Sequence, residues 1–156
     1  MKKLVNSVYK KLKDRGYKVA TAESCTGGLL AGKIIDVSGA SDIIDMSFVT
    51  YSNEAKNELV GVSLDTIEKY NVVSEEVAKE MAEGAAKKAN CKVGLSTTGV
   101  AGPKGGTESI PVGTVCFGIC VDGKVTTYRH VFKSFSRQYV RKAAVKFVLE
   151  KLEELL

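Results

Sequence analysis

Ser24 lies in Thr21-Ala22-Glu23-Ser24-Cys25-Thr26-Gly27-Gly28, and Lys56 closes Thr50-Tyr51-Ser52-Asn53-Glu54-Ala55-Lys56. Each segment follows a short apolar run that reads as a buried strand, and each opens a helical pattern. In an α/β sheet such strand-to-helix turns gather at the carboxyl ends of the strands, where ligands bind. A hydroxyl and an amine can meet there. The chemistry open to that pair is nucleophilic attack by a serine whose proton the lysine removes.

Each of these residues also has a plainer role. A helix expected over Cys25 to Val37 puts Ser24 at or beside its N-cap, where serine serves as a cap. Against that stands Gly27-Gly28 in the first turn, since each glycine costs a helix about 1 kcal/mol relative to alanine. Two together suggest close approach to the backbone, and amides from Cys25 to Gly28 are candidates to hold an oxyanion. Lys56 falls in the first turn of its own helix, capped by Ser52 or Asn53, where the macrodipole repels a cation. With partial burial its pKa falls towards that of a useful base; the alternative is a lysine in solvent. Tyr51, at the end of its strand, either orients a substrate or is a half-buried strand aromatic.

A third segment, Thr97 to Thr107, holds four glycines (Gly99, Gly102, Gly105 and Gly106) and Pro103. From Thr98 to Pro111 the loop runs about 14 residues, long for a compact domain. Its glycines free amides to face an anion, without the lysine-plus-hydroxyl pattern of a P-loop. Arg137 stands near the start of the last helix, disfavoured there unless an anion is near, while Arg141 reads as part of a solvated face. His130, the sole imidazole, is the one possible histidine of a Ser-His-Asp triad, against the commoner role of a strand or surface histidine.

The elements that must position these groups follow from the pattern. Residues 2–15 form a lysine-rich amphipathic helix ended by Gly16. Strands are expected at Tyr17–Ala22, Met46–Tyr51 and Lys92–Thr97. Helices are expected at Asn53–Leu59, Leu64–Lys69 and Ser74–Ala89. Val112–Val121 and Lys124–Phe132 read as a hairpin about Asp122-Gly123, a type I′ pair. The final helix presents Val140, Ala144, Phe147, Val148, Leu152 and Leu155. With 156 residues, 44% hydrophobic and 26% charged, the chain fits one domain, residues 1–156. The net charge of +5 is spread over helix faces without interleaved aromatics, which disfavours a nucleic-acid surface. No apolar run is long enough for a membrane span, and a cytoplasmic protein is expected. The four cysteines include no CxxC pair, and the single histidine leaves zinc without a ligand set.

Taken in order, TAESCTGG, VTYSNEAK (49–56), VSEEVA (73–78), STTGVAGP (96–103) and PVGTV (111–115) resemble the CinA C-terminal domain, a family that includes the nicotinamide mononucleotide amidohydrolases. The likeness runs from about Thr21 to Arg141. It implies a three-layer α/β/α sandwich with a mixed, mostly parallel sheet. The implied reaction is deamidation of nicotinamide mononucleotide to nicotinate mononucleotide and ammonia, by Ser24 assisted by Lys56, usually in a homo-oligomer. Tyr51 joins that pair, while Cys25, Thr26, Gly27, Gly28, Thr98, Gly99, Gly102 and Arg137 would hold the substrate. No metal or organic cofactor is implied; the partner is a small nucleotide, with no nucleic acid and no membrane. The separate N-terminal domain of longer relatives is not in this sequence, so the stand-alone form is expected. Where the family commonly has Gly-Asp-Arg before the last helix, this chain has Phe135-Ser136-Arg137. A non-catalytic nucleotide-binding module is the competing function.

Overall fold

Val5, Val8 and Leu12 recur at helical spacing and are buried, which makes Lys2–Arg15 an amphipathic helix, α1. Gly16 ends it at φ 66°, in the left-handed region that suits a residue without Cβ. The computed structural model describes residues 1–134 and 136–156. After α1 come β1 (Val19–Glu23), α2 (Leu29–Ile34), β2 (Phe48–Val49), α3 (Asn53–Val60), α4 (Leu64–Tyr70) and α5 (Glu75–Lys88). Then follow β3 (Val93–Gly99), β4 (Thr114–Val121), β5 (Lys124–Val131) and α6 (Arg137–Leu155).

The strands form one mixed sheet in the order β2-β1-β3-β4-β5. β1 pairs in parallel with both β2 and β3, whereas β4 is antiparallel to β3 and β5. Four strands therefore point one way and β4 alone runs against them. The carboxyl ends of β1, β2 and β3 share one edge, as the α/β reading requires.

The two faces of the sheet differ in size of side chain. One carries Val19, Val93, Leu95, Val115, Phe117 and Ile119, packed with buried residues of α1, α2 and α6. The other carries Ala20, Ala22, Gly94, Ser96, Cys116 and Gly118, and on it lies α5, with α3 and α4 outside. Small residues let α5 come close. A methyl on Gly94 would meet the Ala82 carbonyl, and one on Gly118 the Ala78 carbonyl. Helices thus cover both faces, and the three-layer α/β/α sandwich stands. α5 is anchored by the Ser74 hydroxyl, which accepts from the Val77 amide at 3.2 Å. Glu75 and Glu76 in its first turn and Lys87 and Lys88 in its last suit the macrodipole.

Some expectations shift. β2 spans two residues rather than Met46–Tyr51, because the Thr50 and Tyr51 carbonyls turn to the Lys56 ammonium. α6 buries Val140, Ala144, Val148 and Leu152 as expected, with Val145 and Leu149 added, but Leu155 is exposed. Phe147 is half-buried and stacks on Phe117 at 4.7 Å between ring centres. Asp122 and Gly123 both have positive φ, 50° and 85°, as a type I′ turn demands.

Candidate functional site

The chain leaves β1 at Glu23 and turns at once. The Ser24 amide donates to the Thr97 carbonyl at 3.0 Å, which carries the β1–β3 pairing one residue further and fixes where Ser24 begins. No helix starts at Cys25. Gly27 and Gly28 both adopt positive φ, 55° and 100°, so α2 starts at Leu29 with Gly28 as its N-cap. Ser24 is therefore not a helix cap, and the glycine pair serves a tight turn.

Glu23 does the capping. Its carboxylate is fully buried and accepts from the Thr21 and Thr26 hydroxyls and from the amides of Gly28, Leu30 and Ala31. Five donors replace the water that a buried carboxylate loses. The Gly27 amide is also committed, to the Ser24 carbonyl. Among the described residues only the Cys25 and Thr26 amides of this turn find no partner, and Thr26 is fully buried away from the pocket, which narrows the oxyanion donors from the four expected to the Cys25 amide. Arg141 holds the turn in place. Its guanidinium donates to the Cys25 carbonyl at 2.9 Å and the Thr26 carbonyl at 3.1 Å. A trans peptide directs its N–H opposite its C=O, so the Thr26 N–H faces away from Arg141. Arg141 is thus a brace for the nucleophile turn and not a solvated surface residue.

Lys56 approaches from α3, capped by the Ser52 hydroxyl at 3.0 Å from the Ala55 amide. Its side chain is 1% exposed. Nζ lies 3.1 Å from Ser24 Oγ, 2.8 Å from the Thr50 carbonyl and 3.4 Å from the Tyr51 carbonyl. Burial lowers its pKa from 10.5 to about 8, only partly offset by the field of the Cys25 thiol. A neutral amine has two N–H donors and one lone pair. The two carbonyls can only accept, so the lone pair is left to Ser24 Oγ, the one of these hydrogen-bond partners among the described residues able to donate. The same burial pushes the Cys25 thiol up to about 11, so its thiolate is scarce near neutral pH.

These groups line a pocket of about 300 Å³, the lower end of the range for small-ligand sites. Of the remaining expected residues, Tyr51, Thr98, Gly99, Gly102 and Arg137 line it too; Thr26, Gly27 and Gly28 do not. Thr26 is spent on Glu23 and on the Thr97 hydroxyl. Thr98 is buried and gives its hydroxyl to the Val72 carbonyl, so it walls the pocket rather than reaching into it. A methyl on Gly99 would press on the Thr114 carbonyl, and one on Gly102 on Val112; packing accounts for both glycines. Arg137 donates to the Gly102 carbonyl at 2.9 Å and to the Tyr51 hydroxyl at 3.2 Å. The Tyr51 ring, 63% exposed, stands at the rim. Phe135, where the chain departs from the Gly-Asp-Arg pattern, lies outside the described residues.

His130 takes no part. It is exposed on β5, tilted against Phe132 and Phe147 at 4.5 and 5.1 Å between ring centres, and does not line the pocket. A wider, open groove of about 850 Å³ adjoins the pocket through Asn53, Val72 and Val73 but contains neither Ser24 nor Lys56. No three His, Cys, Asp or Glu side chains converge among the described residues, and no helix among them is long and apolar enough to cross a membrane.

Sandwich and site together define an α/β domain with a buried serine–lysine pair at the carboxyl ends of parallel strands. The CinA C-terminal domain family matches residues 1–156, and the chain belongs to it. It is 49% identical over 142 residues to a protein of Clostridium botulinum (strain Loch Maree / Type A3), provisionally named competence-damage inducible protein. That alignment covers 91% of this chain and 34% of the relative. A like-named protein of Clostridium acetobutylicum is 52% identical over 132 residues, 85% of this chain and 32% of that one. The chain spans about a third of the length of these curated relatives. Solved structures match it end to end. The competence/damage inducible protein of Agrobacterium tumefaciens superposes with a TM-score of 0.94 at 36% identity, covering 98% of this chain and 93% of that one. Competence damage-inducible protein A of Klebsiella pneumoniae gives 0.93 at 34%, covering 97% and 94%.

Proposed function

We propose that this domain is an amidohydrolase that converts nicotinamide mononucleotide to nicotinate mononucleotide and ammonia, a step of pyridine nucleotide salvage. The observation that carries the reading is the buried Lys56 Nζ, 3.1 Å from Ser24 Oγ, with backbone carbonyls of Thr50 and Tyr51 as its other neighbours. Membership of the CinA C-terminal domain family supports the choice of substrate.

The chemistry balances without any further group. Neutral Lys56 takes the Ser24 proton as Oγ attacks the carboxamide carbon. The Cys25 amide stabilises the oxyanion. Collapse breaks the C–N bond, and Lys56 returns its proton to the departing nitrogen, which leaves as ammonia. Water then attacks the ester on Ser24, with Lys56 again accepting and returning one proton, and nicotinate mononucleotide is freed as a carboxylate. Tyr51 and Arg137 position the nucleotide at the rim.

The test is ammonia release from nicotinamide mononucleotide, with the native protein and with Ser24→Ala and Cys25→Ser. The native protein and Cys25→Ser turn over, whereas Ser24→Ala loses roughly 10⁴-fold or more, the scale seen when a nucleophile is removed. Circular dichroism of Ser24→Ala stays native, since Ser24 caps no helix. Binding of the nucleotide without any ammonia would make this a binding module instead. Turnover by Ser24→Ala with loss in Cys25→Ser would move the nucleophile to the thiol.

A further inference from the structure

Resting on the proposed reaction, one feature of the pocket identifies what reads the far end of the substrate. The described side chains that line the pocket include three cations, Lys56, Lys104 and Arg137, and no carboxylate. Lys56 is buried against Ser24 and committed to chemistry, and Arg137 is partly spent on Gly102 and Tyr51. Lys104 is exposed and forms no ion pair among the described residues.

The backbone around Lys104 is prepared for an anion. Among the described residues, the amides of Lys104, Gly105 and Gly106 donate to no protein acceptor, although the loop is pinned on both sides of them. One pin is Arg137 on the Gly102 carbonyl, and the other is Arg129 on the Ser109 carbonyl at 2.7 Å. Packing against Val112 requires glycine at 102 and 106, but not at Gly105, where a methyl would meet only Val100 at 3.6 Å. Gly105 has φ 94° and lines the pocket. Its bare left-handed backbone presents an amide beside the Lys104 side chain, an arrangement that suits phosphate oxygens.

The neighbouring surface decides direction. The wide groove beyond Asn53 carries Glu68, Glu75 and Glu76 against Lys69 and Arg129, a net negative wall. A dianion entering the pocket is drawn towards Lys104 and away from that groove. We infer that Lys104, with the Gly105 amide, is the phosphate-recognising residue of this site, so that the domain selects a phosphomonoester over its unphosphorylated nucleoside.

The experiment compares native protein, Lys104→Gln, Lys104→Arg and the control Lys142→Gln, which removes one positive charge from α6. Kinetics are measured with nicotinamide mononucleotide and with nicotinamide riboside, and binding of inorganic phosphate is measured by titration. Lys104→Gln raises KM for the mononucleotide about ten- to a hundredfold, the range for losing a charge-assisted hydrogen bond. Its kcat, and its kinetics with the riboside, change less than about threefold; Lys104→Arg recovers most of the loss and Lys142→Gln shows none. Equal losses on both substrates, or an unchanged KM for the mononucleotide, overturn the inference while leaving the deamidase reading intact. If the native protein turns over neither substrate yet binds inorganic phosphate in a Lys104-dependent way, the deamidase reading falls and the phosphate site stands. If it neither turns over the mononucleotide nor binds phosphate, both fall.

Discussion

At the residue scale, the division of hydrogen bonds around Lys56 Nζ decides what the amine can do. As an ammonium it donates to two carbonyls and to the Ser24 hydroxyl oxygen; once neutral, the carbonyls keep its two protons and the lone pair is left for the serine hydroxyl. This geometry is useful only in the neutral amine, and burial brings neutrality within reach by lowering the pKa to about 8. Turnover should accordingly rise with pH along a single-proton curve with its midpoint near 8, as the inactive ammonium loses its proton. Lys56→Arg keeps the charge but not the titration, because a guanidinium stays protonated at working pH. Its kcat should fall by roughly 10²–10⁴-fold and its pH profile should be flat through pH 8. Near-normal turnover by this variant would reduce Lys56 to an electrostatic contact. The sequence pointed to Lys56 through its helix position, yet a lysine in a first turn is as readily a solvated one. What buries it is the convergence of β1, β2 and α3, a long-range event that no local spacing encodes.

At the element scale, the decisive piece is the turn between β1 and α2. Its sequence reads as a helix start, and the structure makes it a braced loop. Glu23 was the residue missed. The expected strand ends at Ala22 and leaves Glu23 in the turn, but β1 runs on to Glu23 between two neighbouring strands and the carboxylate turns inward to α2. The available signal was a charged residue inside an otherwise apolar or hydroxyl-bearing run, which in a central strand must find several donors. Arg141 reads as a surface residue for a similar reason, since its partners are carbonyls at residues 25 and 26, far away in sequence. Glu23→Gln tests the brace. The amide offers one acceptor oxygen where the carboxylate offers two, and its NH₂ faces donors. The variant should fold, with stability reduced by about 1–3 kcal/mol as buried donors lose their partner. Its kcat should drop at least tenfold with little change in KM for nicotinamide mononucleotide, because Ser24 and the Cys25 amide lose their setting while the phosphate contacts remain. A variant as active as the native protein would show that the turn holds its shape without the carboxylate.

At the scale of the whole molecule, the sandwich was legible because each layer carries a strong pattern of its own. α1 and α5 show clean amphipathic spacing, β4 and β5 flank an Asp-Gly turn, and short apolar runs mark β1 and β3. The pairing order was not legible, because the choice of β1 as the partner of both β2 and β3 depends on crossovers and on small residues that admit α5. The same burial that prepares the base also affects the stability of the fold. The folded chain holds Lys56 with a pKa of about 8, against 10.5 for the unperturbed side chain. Between those values the unfolded chain binds more protons than the folded one, so the free energy of unfolding gains a component that rises with pH. Below about pH 8 the buried ammonium weakens the fold; above 10.5 that penalty is gone. Lys56→Met fills a similar volume without titrating, and therefore lacks this component. Urea unfolding of both proteins at several values from pH 7 to pH 10.5 isolates the effect as the difference between the two curves. The native protein should gain on the variant by on the order of 3 kcal/mol across the window, at about 1.4 kcal/mol per pH unit. Parallel curves would mean that Lys56 keeps an ordinary pKa in the folded protein, and the base would then have to be sought elsewhere in the pocket.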